Sequence, residues 1–273
     1  MVALESFVKV LPILASPRNP LSKGAGFAEY LFKFFAEGEF PFLLIGLLLI
    51  VVLFTNRFFC GWICPIGTIQ DALSIVSPKK KRVKLETHKS MLNLKFFIVI
   101  LLFIIIIPLG IAKNIDNDFY KDYKASLGDL AENPVGYFSL SEYIFVFFPN
   151  LVQEMWDQSG LEPLFTDFWV FVMFSFYIIV LIVAFYYPRA YCRYLCPFGA
   201  LLAAASDYSF LKLSRSPVRC VGRAECGICE KICPKQIRIL DEPFEFFTGN
   251  GECNLCLECM EKCPYKAIDF TFG

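Results

Sequence analysis

The sequence predicts a mainly α-helical protein, with a helical membrane domain at residues 1–213 and a small α+β domain at residues 214–273. Three observations support this fold class. The 273 residues are 56% hydrophobic with a mean hydropathy of +0.54, which is too apolar for an ordinary soluble domain. A cysteine motif near residue 60 recurs near residue 192, and the tail after residue 213 is polar and dense in cysteine.

Three segments are apolar enough to span a bilayer, which takes about 20 residues. They are residues 40–59, 94–111 and 165–187. The first two segments are barely long enough to cross a bilayer, whereas the third is clearly long enough. Two shorter apolar pieces, residues 2–15 and 143–148, are predicted to be re-entrant or interfacial helices. Residues 27–37 have helical amphipathic spacing, which predicts a helix on the membrane surface or against a neighbouring subunit.

Charge is distributed unevenly between the segments that flank these spans. The segment after the first span is basic, with Lys79, Lys80, Lys81, Arg82, Lys84 and Lys89, whereas the loop 113–167 is rich in aspartate and glutamate. Lysine and arginine favour the cytoplasmic side. We therefore expect a multi-pass protein of a prokaryotic inner membrane, with residues 57–93 and the tail in the cytoplasm and residues 112–165 outside. The basic run has a second interpretation as a site for anionic lipid or a partner.

An internal repeat relates two halves of the predicted membrane domain. The first motif, residues 57–67 (RFFCGWICPIG), matches the second motif, residues 189–199 (RAYCRYLCPFG), at one fixed offset that also relates Pro17 to Pro149. A constant offset predicts two equivalent halves, about residues 1–111 and 112–213. Because both motifs follow a span on the same side, we expect parallel repeats about a pseudo-twofold axis near the membrane normal.

The tail contains two cysteine runs with the spacing of bacterial ferredoxins. One is Cys253-x2-Cys256-x2-Cys259-x3-Cys263-Pro264, and the other is Cys226-x2-Cys229-x3-Cys233-Pro234 with Cys220 upstream. In such runs three cysteines hold one [4Fe–4S] cluster and the fourth ligates the other cluster. The tail is thus predicted to be a bicluster ferredoxin-like domain. The cluster-1 cysteines are Cys220, Cys226, Cys229 and Cys263, and the cluster-2 cysteines are Cys253, Cys256, Cys259 and Cys233. Two zinc sites are the alternative.

The four remaining cysteines, called here the membrane cysteines, are Cys60, Cys64, Cys192 and Cys196. Thiols four residues apart share one face of a helix. Two such motifs facing each other across the pseudo-twofold axis would supply enough thiolates for a third iron–sulfur cluster. Arg57 and Arg189 recur beside the motifs and would offset its negative charge. Thiols without metal, a disulfide and copper(I) are the alternatives.

The composition argues against several other functions. The net charge is zero, so the sequence has no electrostatic footprint for nucleic acid. The single histidine, His88, lies in the basic loop, where it is expected to be solvated, and one histidine cannot give a haem two histidine ligands. We expect no haem within this chain. The centres of the spans contain no Asp, Glu, Lys or Arg, which argues against a proton or ion pump.

Both motifs and the tail resemble those of a known family. Residues 56–67 and 191–199, followed by the tandem cysteine runs, are similar to the NapH/NosR-type membrane polyferredoxins. The resemblance covers the chain from about residue 46 to the end. It implies a four-span membrane protein with cytoplasmic [4Fe–4S] clusters that passes electrons, often from quinol, towards a partner reductase. A related branch serves cytochrome oxidase assembly by handling the redox state of copper.

The predicted function is electron transfer within a larger membrane redox complex, of the quinol dehydrogenase type, without a catalytic residue in this chain. The expected partners are other subunits of the complex, the lipid bilayer and a quinone or quinol. Aromatic residues of the third span would line a quinone cleft or contact lipid. They are Trp169, Phe171, Phe174, Phe176 and Tyr177. The rival functions are a copper-reducing oxidase-assembly factor and a membrane anchor for a soluble ferredoxin.

Overall fold

The computed structural model describes residues 27–36, 38, 40–77, 81–115, 117–128, 135–157, 160, 162–166 and 168–272. The apolar piece at residues 2–15 lies outside this part. The described chain is mainly helical and divides into two compact units. The first comprises the described residues up to Ile45, Ser90–Val183 and Tyr194–Pro197, and the second comprises Gly46–Lys89, Ala184–Arg193 and the residues from Phe198 onward.

The helices follow one another through most of the chain. The first are Phe27–Ala36, Phe42–Thr55, Phe58–Trp62, Pro65–Val76, Leu85–Ile115 and Asn117–Leu127. The next are a 3-10 turn Gly136–Phe138, a helical stretch of Leu140–Glu142, a π-helix Tyr143–Phe147 and Phe148–Asp157, and then Glu162–Thr166, Phe168–Tyr186, Ala190–Tyr194 and Pro197–Ser206. The tail contains strand β1 Leu211–Arg215, Gly222–Glu225, Ile228–Ile232, the 3-10 turn Ile239–Asp241, Glu258–Glu261 and strand β2 Ile268–Phe272.

Two helices of the described chain are long and apolar enough to cross a membrane. They are Leu85–Ile115 with 31 residues and Phe168–Tyr186 with 19, which coincide with the second and third predicted spans. The first predicted span instead forms the 14-residue helix Phe42–Thr55. At about 1.5 Å per residue this helix is shorter than a hydrocarbon core of about 30 Å. It ends at Thr55, and the next residue, Asn56, has a left-handed φ of 56°, which commonly terminates a helix.

The helix Phe27–Ala36 packs within its own unit. Phe32 is fully buried, and its ring centroid lies 5.3 Å from that of Phe103, which also contacts the ring of Phe35 at 5.7 Å. The sequence predicts this helix, but it does not predict that the helix packs against Leu85–Ile115. The sequence predicts a membrane surface or another subunit as its environment, whereas the long helix Leu85–Ile115 covers part of its apolar face.

Two segments that the sequence presents as loops contain helices. The segment 113–167 includes Asn117–Leu127 and Phe148–Asp157. His88, expected to be solvated, lies in the helix Leu85–Ile115 and is only 6% exposed. Polar composition alone does not distinguish a loop from a polar helix, because helices also form from residues such as lysine and glutamate.

The third-span aromatic residues differ in environment. Tyr177 is fully buried, its ring stacks on that of Tyr143 at 4.4 Å between centroids, and its hydroxyl donates to the carbonyl oxygen of Tyr137 at 2.9 Å. Trp169 is 71% exposed. Tyr177 is therefore part of the packed interior of the first unit rather than the wall of an open cleft.

Strands β1 and β2 form the small sheet of the second unit. They pair antiparallel, with Leu213 opposite Phe270, and Leu213 also bridges to Phe247. Leu213, Phe247 and Ile268 are the centre of a compact apolar cluster. The first strand begins at Leu211, slightly before the predicted domain boundary at residue 214.

The two cysteines of the first motif do not lie on one continuous helix, so that expectation is wrong. Cys60 is in the helix Phe58–Trp62, whereas Cys64 is the extended N-cap residue of Pro65–Val76, with φ −66° and ψ 119°. A proline disfavours the α conformation of the residue before it. Cys196 likewise precedes Pro197 and lies between two helices.

Candidate functional site

The cluster-1 cysteines line one cavity of the second unit. It encloses about 360 Å³ of empty space, part of it open to solvent, and Arg215 and Tyr265 also face it. Cys220, whose distance from Cys226 along the chain is unusual, lies here with the other three. The thiol of Cys229 interacts electrostatically with those of Cys220 and Cys226. The longer gap is therefore compatible with a shared site.

The cluster-2 cysteines line a second cavity, with about 320 Å³ of empty space. Apart from Asn254, its other walls are apolar and include Leu213, Ile237 and Phe247. Cys233 comes from the upstream run, yet its thiol interacts with those of Cys253, Cys256 and Cys259. The chain thus brings three cysteines of one run together with the fourth cysteine of the other.

The thiols in these cavities line an open volume and do not converge on a single position where one metal ion could bind. Among the described residues, no group of three or more His, Cys, Asp or Glu is close enough to hold a single metal ion. A zinc ion would require sulfur atoms at about 2.3 Å from the metal. The donor set of four thiols around an open volume fits a polynuclear iron–sulfur cluster better than zinc.

Strained backbone conformations place the cluster-2 cysteines. Leu255 and Leu257, on either side of Cys256, have left-handed φ values of 48° and 63°. Such conformations cost about 1–3 kcal/mol for residues other than glycine and tend to occur at functional sites. In the other run, Gly227 between Cys226 and Cys229 has φ 64°, which glycine adopts without that cost.

Burial disfavours the thiolate form of Cys229 in the first cavity and of the cluster-2 cysteines in the second when no metal is bound. It raises the pKa of Cys229 to about 11 and that of Cys253 to about 12, and it also raises the pKa of Cys233, Cys256 and Cys259. Backbone N–H groups donate to several of these sulfurs, as Ala267 does to Cys263 at 3.4 Å. Metal ligands must be deprotonated, so the positive metal would supply the charge that stabilises these thiolates.

The first motif holds the loop that carries Cys253 and Cys256. Arg57 donates to the carbonyl oxygen of Gly251 at 2.9 Å and forms an ion pair with Glu252 at 3.1 Å, both partners being almost fully buried. Trp62 donates from its indole nitrogen to the carbonyl oxygen of Leu255 at 2.9 Å. Several contacts therefore fix this loop from residues nearly 200 positions earlier in the chain.

The second motif holds the segment that follows Cys233. Arg193 donates to the carbonyl oxygen of Pro234 and to the side chain of Gln236, each at 3.0 Å. Arg82, in the basic segment, donates to the carbonyl oxygen of Cys233 at 3.4 Å. Residues of both motifs therefore support the loops of the cluster-2 cysteines.

Three of the membrane cysteines are neighbours within the second unit. The thiol of Cys64 interacts electrostatically with those of Cys60 and Cys192. Burial, with the two nearby thiols, raises the pKa of Cys64 to about 12. Cys196 belongs to the first unit. The repeat predicted a four-thiol set, and the second unit brings three of its members together.

The two arginines that recur in the repeat have different partners. Arg57 pairs with Glu252, whereas Arg189 pairs with Asp71 and donates to the carbonyl oxygen of Gly61 at 3.2 Å. Arg189 also interacts with the thiols of Cys192 and Cys256, so it lies within electrostatic range of a membrane cysteine and a cluster-2 cysteine.

Sequence reasoning missed two polar residues at this site. Gln70 is fully buried, donates to the sulfur of Cys192 at 2.9 Å and accepts the Tyr191 amide at 3.1 Å. Lys235 is 2% exposed, and burial together with Arg57 lowers its pKa. Lys235 directly follows Cys233-Pro234 in the sequence, and this position next to a predicted cluster ligand could have marked it as a site residue.

Two segments of the chain, residues 38–84 and 169–215, match the family described as a 4Fe-4S binding domain. Each segment contains one of the two motifs. Relatives extend beyond these segments: an uncharacterised protein of Methanocaldococcus jannaschii is 27% identical and covers 88% of this chain and 84% of its own length. The protein YccM of Escherichia coli, named as a proposed electron transport protein, is 27% identical over 85% of this chain.

The regulatory protein NosR of Pseudomonas aeruginosa is also 27% identical, over 78% of this chain. The chain belongs to the NosR/NapH-type family of iron–sulfur electron transport proteins. It spans 55% of the length of YccM and 25% of the length of this NosR. No solved structure gives a significant match to the chain. The two apolar helices together with the NosR relationship indicate a membrane protein.

Proposed function

We propose that this NosR/NapH-type chain is a membrane-bound subunit that relays electrons between a membrane donor, such as quinol, and a partner oxidoreductase. The observation that carries the proposal is the pair of cavities, each lined by four cysteines drawn from both runs. A [4Fe–4S] cluster, when bound, takes up or releases one electron. The chain would hold such clusters, exclude water from the inner one and set the charge around it.

The proposed ligands are the cluster-1 cysteines for one [4Fe–4S] cluster and the cluster-2 cysteines for the other. All four cluster-1 cysteines are partly exposed, whereas Cys253 and Cys259 of cluster 2 are buried. We propose that cluster 1 lies nearer to the solvent and to a soluble partner. The supporting contacts from the two motifs are made to the loops of cluster 2.

The proposed third centre is held by the membrane cysteines. The proximity of Cys60, Cys64 and Cys192 within the second unit supports it, and Cys196 is the fourth cysteine of the sequence repeat. The two segments that match the 4Fe-4S family contain these four residues. An iron–sulfur centre here would lie close to Arg189, which is also within electrostatic range of the cluster-2 residue Cys256.

The proposed organisation is a membrane domain of two parallel repeats followed by a bicluster ferredoxin-like domain. Equivalent helices support the repeat, because Phe58–Trp62 corresponds to Ala190–Tyr194 and the helices that follow begin at Pro65 and Pro197. The proposed orientation places both motifs and the tail in the cytoplasm. The contact of Arg82 with Cys233 supports a common side for the basic segment and the tail.

Metal analysis of the full chain, purified anaerobically in mild detergent, tests the cofactor assignment. Two [4Fe–4S] clusters contribute about eight iron and eight sulfide per chain, and a third centre adds about two to four of each. Stoichiometric zinc without acid-labile sulfide would contradict the iron–sulfur assignment. Stoichiometric copper at the membrane cysteines would favour the assembly-factor alternative.

Electron relay itself is tested with the full chain in liposomes. A short-chain quinol is added, and bleaching of the iron–sulfur absorption is followed before and after addition of a soluble one-electron acceptor. Bleaching that the acceptor reverses is expected. A variant with Cys256→Ser is expected to lose the relay while keeping cluster 1. Clusters that dithionite reduces and quinol does not would reject quinol as the donor.

A further inference from the structure

Lys235 is a buried lysine whose side-chain nitrogen, Nζ, has no hydrogen-bond partner among the described residues. The side chain is 2% exposed, and among the described residues no acceptor lies within hydrogen-bonding distance of Nζ. Its electrostatic neighbours are the guanidinium groups of Arg57 and Arg189, the carboxylate of Glu252 and the thiol of Cys192. A buried charge without a counter-charge is strongly unfavourable.

The charges around Lys235 do not balance. Arg57 is paired with Glu252, and Arg189 is paired with Asp71. Each pair is neutral by itself, so the protonated form of Lys235, which burial disfavours, is the excess positive charge of the group. The remaining neighbour is Cys192, which in turn interacts with Cys60. Neutral thiols or a disulfide at these cysteines would leave the positive charge uncompensated.

We propose that Lys235 is the counter-cation of an anionic metal–thiolate centre at Cys60, Cys64 and Cys192. The inference rests on the proposed third iron–sulfur centre and names the residue that compensates its charge. Thiolate ligands give such a centre net negative charge, and nearby positive charge stabilises both the ligated state and its reduction. Lys235 acts as a positioning and charge-setting residue, not as a ligand.

The guanidinium groups of the two arginines already have other acceptors, although Arg189 also lies within electrostatic range of Cys192. Arg57 donates to the Gly251 carbonyl oxygen as well as pairing with Glu252. Arg189 donates to the Gly61 carbonyl oxygen as well as pairing with Asp71. The Nζ atom of Lys235 has no such acceptor, so it is available to interact with the sulfur atoms of the centre.

Four variants of the full chain test the proposal. Lys235→Met and Lys235→Gln remove the charge in two side chains of different polarity, Lys235→Arg keeps the charge, and Lys231→Met removes an exposed lysine of the same segment. Each is purified anaerobically in detergent, and folding is checked by monodisperse elution. Iron and sulfide per chain, alkylation of individual cysteines and the midpoint potentials are measured.

We expect both neutral variants to lose the two to four iron atoms that the third centre would add, and to keep about eight for the tail clusters. Cys60, Cys64 and Cys192 become open to alkylation in these variants. Lys235→Arg and Lys231→Met retain the iron content of the unmodified chain. This pattern would not follow from a merely structural role, because the arginine variant alters packing while it preserves charge.

Two contrary outcomes are distinguishable. Neutral variants with unchanged iron, unchanged alkylation and unchanged potentials would overturn the role of Lys235 and leave the third centre intact. An unmodified chain with only about eight iron atoms and three alkylated membrane cysteines would reject the third centre itself, and with it this role.

Discussion

The indole nitrogen of Trp62 donates a hydrogen bond of 2.9 Å to the carbonyl oxygen of Leu255. Trp62 lies between the two cysteines of the first motif, and Leu255 lies between Cys253 and Cys256 of the tail. This contact joins the cysteine motif to the loop of the cluster-2 cysteines. The motif therefore has a supporting role in the tail in addition to any role of its own thiols.

Trp62→Phe removes this hydrogen bond and keeps most of the aromatic surface. We expect a loss of about 1 kcal/mol in loop stability, seen as faster iron release from cluster 2 when a chelator is added. Release from cluster 1 should not change. Trp156→Phe, at a side chain that is 83% exposed, is the matched control. Equal acceleration in both variants would show that the contact is irrelevant to the loop.

Gly61→Ala tests how closely the motif approaches the tail. A Cβ atom at Gly61 would collide with the carbonyl oxygen of Asn254, so either the motif or the loop must move. We expect cluster 2 to be lost, with a decrease of about four iron atoms per chain. Gly46→Ala is the control, because a Cβ there meets nothing within 4 Å. A Gly61→Ala chain with full iron would show that the approach is looser than described.

Double variants reveal which cysteines share a cluster. Because Cys226 and Cys263 line the same cavity, replacing both with serine should cost no more iron than replacing either one, about four atoms. Replacing Cys226 and Cys233, which belong to one run but face different cavities, should cost about eight. The reverse pattern in the iron analysis would mean that each run binds its own cluster.

Glu252→Gln leaves Arg57 buried without its carboxylate. Removing one partner of a buried pair typically costs about 3–5 kcal/mol, so we expect a clear decrease in the midpoint of chemical unfolding. Asp269→Asn breaks the exposed pair with Arg219, for which about 0–1 kcal/mol is expected. Similar midpoints for the two variants would contradict the importance of the Arg57–Glu252 pair.

Reporter fusions test the proposed orientation. The basic segment 79–89 predicts that the tail is cytoplasmic, so a fusion after residue 272 should be active only with a cytoplasmic reporter such as green fluorescent protein. A fusion after Gly128 should be active only with alkaline phosphatase. Phosphatase activity at residue 272 would reverse the topology and the side on which a partner oxidoreductase docks.

Local patterns made much of the site predictable. The run from Cys253 to Cys263 places its thiols by short chain spacing, and the apolar helices Leu85–Ile115 and Phe168–Tyr186 follow from composition. The first predicted span, residues 40–59, is longer than the helix Phe42–Thr55 that forms there. Apolar residues continue beyond Asn56, but the backbone leaves the helical conformation at that residue. The prediction that Cys60 and Cys64 share one helix is wrong for a local reason as well. Pro65 disfavours the helical conformation of Cys64, the residue before it.

The sequence by itself determined the iron–sulfur family, the apolar helices and the spacing within each cysteine run, because these depend on residues that are near in the chain. Only the tertiary structure decided that Trp62 and Arg57 hold the loop of cluster 2, and that Lys235 lies buried beside Cys192. Such contacts join residues some 40 to 200 positions apart. Their identity depends on how the backbone packs, and no local spacing encodes it.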